Sequence, residues 1–181
     1  MKKIVKKSHQ TQLKLQKQQG FGIVSVILGI VASAIIILLG FQQYQQAMMK
    51  IKIGSAQTQF QDISTGIDSL YANSHDFSTI STQVVIDAGI ASQSDIVGST
   101  IVSPWYSSDS NSLVTIKAGA QPTSYVVDMA RVPQDACAGV ASMFLNNTKS
   151  NMTINGTAVT DPASMASACA SSDSADIAIN F

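Results

Sequence analysis

The chain has 181 residues with eleven basic and eleven acidic side chains, which leaves room for one modest domain once its N-terminal part is set aside. The zero formal charge hides a segregation: Lys2, Lys3, Lys6, Lys7, Lys14 and Lys17 all precede Gly20, whereas beyond it five bases face eleven aspartates, a net of −6. An acidic body rich in Ser, Thr, Asn and Gln argues against nucleic-acid binding, which needs a basic face to neutralise phosphates.

Residues 1–20 are polar and basic and contain no acid. The uncharged run Phe21 to Phe41 follows directly, and as a helix it would extend about 31 Å, the thickness of a bilayer's hydrocarbon core. A continuous helix satisfies every backbone hydrogen bond of such a segment in lipid, so we read a membrane span. The lysines before it hold that end in the cytoplasm and place everything after Phe41 on the far side. The run is too long for an ordinary secretory signal, and the plausible cut lies before it, between Gly20 and Phe21.

Beyond Phe41 the helical pattern continues, and the first proline is Pro104. Tyr44, Met48 and Ile51, then Phe60, Ile63, Ile67, Leu70 and Tyr71, recur at spacings of three and four and predict one apolar stripe on an amphipathic helix. Gly54 and Gly66 weaken the pattern without ending it. One helix over 21–73 is therefore expected, apolar all round to residue 41 and amphipathic over 42–73. Gly29 and Gly40, with Ser25, Ala32, Ser33 and Ala34, are small enough for close helix–helix approach, or are routine span composition. Low helix propensity makes Gly40 a candidate for local melting in an assembly.

Residues 74–181 are expected to form a globular head. Thr79 to Ala91 reads as a short helix or a turn-rich connector, and Gly98 to Asn111 as loop. Its Trp105-Tyr106 pair is either an exposed contact or, in our reading, packed over a sheet. Ser112–Lys117 and Ser124–Val132 alternate as strands, and Pro133 suits the start of a helix over Gln134–Asn146. Asn151–Val159 reads as strand with a turn at Asn155-Gly156, and Asp161-Pro162 starts a helix toward Cys169. Ile177–Phe181 is a closing strand. The fold class is α+β: a long helix with an antiparallel sheet on its exported half.

Cys137 and Cys169 are the two cysteines, and in an oxidising compartment they read as one structural disulfide. The closed loop of about 33 residues contributes roughly 3–4 kcal/mol on the chain-entropy model. His9 and His75 lie far from both in sequence, so no metal site is expected. No carboxylate dyad, G-x-S-x-G, H-E-x-x-H or phosphate-binding loop occurs. His75 reads as a solvated turn residue. We expect neither an enzyme nor a cofactor. The Asn146, Asn151 and Asn155 sites fit the N-glycosylation pattern and are expected to stay unmodified.

The basic leader ending in Gly20, the aromatic Phe21 and the apolar helix resemble the processing site of type IV prepilins, and a leader of this length resembles the type IVb class. The stretch SYVVDMARVPQDACAGV, then INGTAV, Cys169 and a last strand ending at Phe181, is similar to the same class. Among type IVb pilins the similarity is greatest to those of thin conjugative and adhesive pili. The resemblance implies cleavage after Gly20 by a prepilin peptidase, N-methylation of Phe21, and polymerisation by an inner-membrane assembly machinery into an extracellular filament. That filament would serve surface attachment or conjugative mating. One departure stands out: most pilins carry a glutamate at the fifth residue after the cut, where this chain has Ser25. A minor pilin or secretion-type pseudopilin is a second reading, and a membrane-tethered periplasmic binding domain a third.

Overall fold

A computed structural model describes residues 21–145 and 151–181. Helix α1 runs Phe21–Leu70, three residues short of the expected end, and the chain turns as Tyr71 donates to Ile67 O. By its internal contacts the chain divides after Tyr44, with residues 45–181 forming one compact unit. The expected leader, residues 1–20 including Gly20, lies outside the described residues.

Seven strands follow α1: β1 (Ile96–Val97), β2 (Thr100–Val102), β3 (Leu113–Ala118), β4 (Tyr125–Pro133), β5 (Asn151–Ile154), β6 (Thr157–Val159) and β7 (Ser174–Asn180). They make one sheet in the order β1-β2-β3-β4-β7-β5-β6, with every pairing antiparallel. The C-terminal strand is thus central, wedged between β4 and β5. Alternation puts Val114, Ile116, Tyr125, Val127, Met129, Ile177, Ile179, Met152 and Ile154 on one buried face. Across the β4/β7 pair the register shifts between Met129 and Val132, where Arg131 takes φ 54° and its N–H donates to Asp176 Oδ1 at 2.8 Å. The hairpin β5–β6 turns at Asn155-Gly156 with φ of 51° and 74°, the positive pair that a tight primed turn needs.

The buried sheet face meets α1 through Ala56, Phe60, Ile63 and Ile67, with Met49 and Ile53 half-buried at the near end. This corrects the expected stripe: Tyr44 and Ile51 are 62% and 61% exposed, and Leu70 is also exposed. Two apolar stripes run side by side on α1, about one residue apart, and the sheet covers the one through Phe60. Tyr125 Oη donates to Asp68 Oδ1 at 3.0 Å and to Ser64 O at 3.3 Å, fastening β4 to the helix.

Three short helices complete the head: α2 (Thr82–Asp87), α3 (Gln134–Ala141) and α4 (Pro162–Cys169). Ser81 caps α2, its Oγ accepting from Val84 N. At α4 the expected start is met: Asp161 Oδ1 accepts from Ala163 and Ser164 N–H, Ser164 Oγ accepts from Asp161 N–H, and Pro162 occupies the first turn. α3 ends five residues earlier than expected. The loop expected over Gly98–Asn111 contains β2, which a turn at Gly98 (φ 64°) pairs with β1. Trp105 is buried, as the packed reading expects.

Phe60 has no exposed surface and stacks edge-on with Phe144, whereas Ile51 faces outward. Phe60→Ala is therefore expected to cost about 3–5 kcal/mol of head stability, and Ile51→Ala no more than about 0.5 kcal/mol. Denaturant unfolding of the two variants checks this, and equal losses would contradict the assigned buried face.

Candidate assembly surface and disulfide clamp

Along α1 from Ile23 to Phe41, thirteen large apolar side chains stand more than half exposed, among them Ile23 at 73% and Ile36 at 70%. At about 1.5–3 kcal/mol per such side chain, leaving them in water forfeits roughly 20–40 kcal/mol. A domain of this size is held by only about 5–15 kcal/mol. The segment is long and apolar enough to cross a membrane, and none of it is buried within the chain. It therefore needs an apolar surrounding that the described residues do not supply.

The small residues on this segment support the same conclusion. A Cβ added at Gly29 or at Gly40 would meet nothing within 4 Å. Elsewhere, glycine is required from within: at Gly66 a Cβ would come to 2.4 Å of Ile90 Cγ2, and at Gly139 to 2.8 Å of Ile53 Cδ1. Among the described residues nothing thus accounts for the smallness of Gly29 and Gly40. Helix α1 is unbroken through Gly40 in the single chain. Ser25 Oγ donates to Gly22 O at 3.0 Å and Ser33 Oγ to Ile30 O at 2.9 Å. Both hydroxyls are satisfied within the helix and can enter an apolar medium without a stranded donor. Phe21 is the first residue of α1.

In the head, Cys137 on α3 and Cys169 on α4 form a disulfide with Cα atoms 5.7 Å apart, both cysteines buried. The bond staples two short helices that would have little reason to stay folded alone. Gln57 Nε2 donates to Gly139 O at 2.8 Å, tying α3 to α1 at the close approach that Gly139 allows. His75 is exposed in the turn after α1 with φ 46°. Asn151 starts β5, Asn155 sits in the hairpin turn, and Asn146 lies outside the described residues.

The carboxyls divide by environment. Backbone and side-chain hydrogen bonds from Ser164 and Ala163 hold Asp161 below the usual carboxylate range. Burial pushes Asp128 on β4 up, against the pull of Lys117 and with a further push from Asp176. Burial, with Asp68 alongside, also pushes the Tyr125 phenol up. Sequence reasoning missed the Tyr125–Asp68 bond and the Arg131 bulge, because their partners lie 57 and 45 residues away and no local pattern announces them. The aspartates form no carboxylate cluster with metal-binding geometry among the described residues.

The buried head and the uncovered helix can be set beside known proteins. The family model named Bundlin matches residues 45–180, three-quarters of the chain and the same span as the compact unit. No curated protein matches the sequence. Among solved structures, the type IV b pilin from Salmonella typhi is similar at 19% identity and a TM-score of 0.51, covering 71% of this chain and 97% of that one. At that identity the likeness shows a shared fold: the long helix on an antiparallel sheet.

Asp128 yields a pH prediction. A carboxyl raised by folding binds more protons in the native state, so its contribution is full below the ordinary aspartate value of about 3.9 and declines as pH rises above it. Asp128→Asn should therefore gain stability relative to the native chain at pH 7, with the difference vanishing near pH 3. A pH-independent difference in unfolding free energy would contradict this.

A folded head of pilin architecture carrying an apolar helix it leaves bare is the build of a filament subunit, and with the family model spanning that head, the chain belongs to the Bundlin family of type IVb pilins.

Proposed function

We propose that the chain is made as an inner-membrane precursor, cut between Gly20 and Phe21 by a prepilin peptidase, and polymerised with other copies into an extracellular pilus. Residues 1–20 serve as the leader, 21–41 as the membrane anchor and then filament core, 42–73 as the amphipathic stretch that ends the helix and turns into the head, and 74–181 as the outer head. The observation that carries this reading is the bare apolar segment of α1 joined to a head that has already buried its own core. Lipid covers that segment before assembly, and the same segment of neighbouring copies covers it afterwards. Transfer between two apolar surroundings gains little, so close approach at Gly29 and Gly40 supplies contact that lipid does not. Phe21 is the N-methylated residue of the mature chain. Partners are other copies, the peptidase and the assembly machinery, and the filament serves attachment or conjugative mating.

The Ser25 geometry favours a second reading as a minor pilin or pseudopilin. Its hydroxyl closes on Gly22 O and offers no charge to a neighbouring terminal amine, so it does not set a register by ion pairing. Abundance in sheared surface material separates the two, because a main subunit dominates it.

The intact mass of sheared protein tests the processing step. A mature chain beginning at N-methylated Phe21 is expected, and Gly20→Ala or a bulkier change should leave uncut protein in the membrane and no filaments. Gly29→Leu should leave head stability unchanged within about 0.5 kcal/mol while filament yield falls. Filaments built from uncut subunits would overturn the proposal.

A further inference from the structure

Residues 21–49 of α1 contain no charged side chain. An uncharged apolar surface does not by itself fix where one copy sits along the next, because register between packed helices is set by polar and charged positions. Ser25 does not fix it either, since its hydroxyl closes on Gly22 O. The charges of the helix lie further on: Lys50 and Lys52, then Asp62 and Asp68.

Lys50, Lys52 and Asp62 have no charged partner within the subunit. No opposite charge stands three or four residues from any of them, the spacing at which side chains of one helix meet. Among the described residues the one ion pair joins Arg131 to Asp109 and involves nothing on α1. Lys50 and Asp62 are exposed, and Lys52 is half-buried. Asp62 stands eleven residues beyond the exposed Ile51, close to three turns, and therefore on the same side of the helix. The sheet covers the opposite side, through Ala56, Phe60, Ile63 and Ile67. Asp68 differs: it lies about 100° round the helix from Ile51, and its Oδ1 already accepts from Tyr125 Oη at 3.0 Å.

The uncovered side of α1 thus carries two bases flanking Ile51 and an acid ten to twelve residues further on. Copies that cross a membrane in the same direction bring their helices together in parallel. Parallel copies held level would set lysine beside lysine and aspartate beside aspartate. Slid by ten to twelve residues, about 15–18 Å at 1.5 Å per residue, they set Asp62 of one beside Lys50 and Lys52 of the next. Like charges penalise the level arrangement and opposite charges favour the stepped one. A constant step along an axis does not close on itself, so it extends a filament in place of a ring.

Resting on the filament reading above, we infer that these charges set the axial step between neighbouring copies. Asp62 of one copy pairs with the lysines that flank Ile51 of the next, and the occupant of the uncovered stripe is a second copy of this chain. The pairing supplies the register that Ser25 leaves open.

Carbodiimide treatment of sheared filaments tests this, because it joins a lysine amine to a carboxylate only where the two touch. Within one helix Lys52 and Asp62 are about 15 Å apart, beyond side-chain reach, so a link between them identifies two copies. Mass mapping is expected to find Asp62 joined to Lys50 or Lys52. Asp62→Lys should lower filament yield at least about tenfold, since three lysines then meet. Adding Lys50→Glu and Lys52→Glu to it should return the yield to within about twofold of native. Denaturant unfolding of each variant in detergent separates assembly from folding, and the cross-link on the native chain stands whatever the variants do to stability. The inference is overturned if native filaments lack the link, if the lysines link to Asp68 instead, if Asp62→Lys assembles normally, or if the triple reversal restores nothing. Lysines that served anionic lipid headgroups would give no link and a normal Asp62→Lys yield. A sheared fraction holding no filament of the native chain would overturn the filament reading itself.

Discussion

Helix α1 meets two different demands along one length, and the rest of the structure depends on that. Past Gln45 one of its stripes must be covered, and the sheet covers it: Ala56, Phe60, Ile63 and Ile67 lose nearly all contact with water. Before Tyr44 none of the described residues covers it, and thirteen large apolar side chains remain exposed. The energy at stake in that bare stretch exceeds what holds a small domain together, so the subunit is incomplete in water. The head's stability must therefore come from its own contacts. It does so through a C-terminal strand held at the centre of the sheet, a disulfide across two short helices, and a tyrosine bonded back to the helix.

The central place of β7 has a consequence for folding order. β4 and β5 are joined only through residues 174–180, so two parts of the sheet are linked by the strand that comes last in sequence. Pairings of such sequence separation carry a loop-closure cost that local elements do not. The disulfide, closing 32 residues that include β5, β6 and α4, shortens that search once formed.

Local chemistry was the legible part of the sequence. Asp161-Pro162 announced α4, Asn155-Gly156 announced the hairpin, and alternation in 124–132 announced β4 to within a residue. The C-terminal strand was legible in kind but begins three residues earlier, at Ser174, because the small Ala175 is a weak apolar beat between the polar Ser174 and Asp176. β1 and β2 escaped notice because two- and three-residue strands carry no readable period. The stripe through Tyr44, Met48 and Ile51 misled for a different reason. Spacing locates stripes on a helix but does not say which of two neighbours will be covered, and that choice is made by strands far along the chain.

The bare segment of α1 is the core of this account, and what covers it in the finished assembly is open to direct measurement. A photo-reactive amino acid at Ile36, 70% exposed in the single chain, would be activated in sheared filaments and the products resolved by mass. The account predicts covalent multimers of this chain, cross-linked within residues 21–44 of a neighbouring copy. Monomers carrying only lipid adducts, from material that is otherwise filamentous, would contradict it.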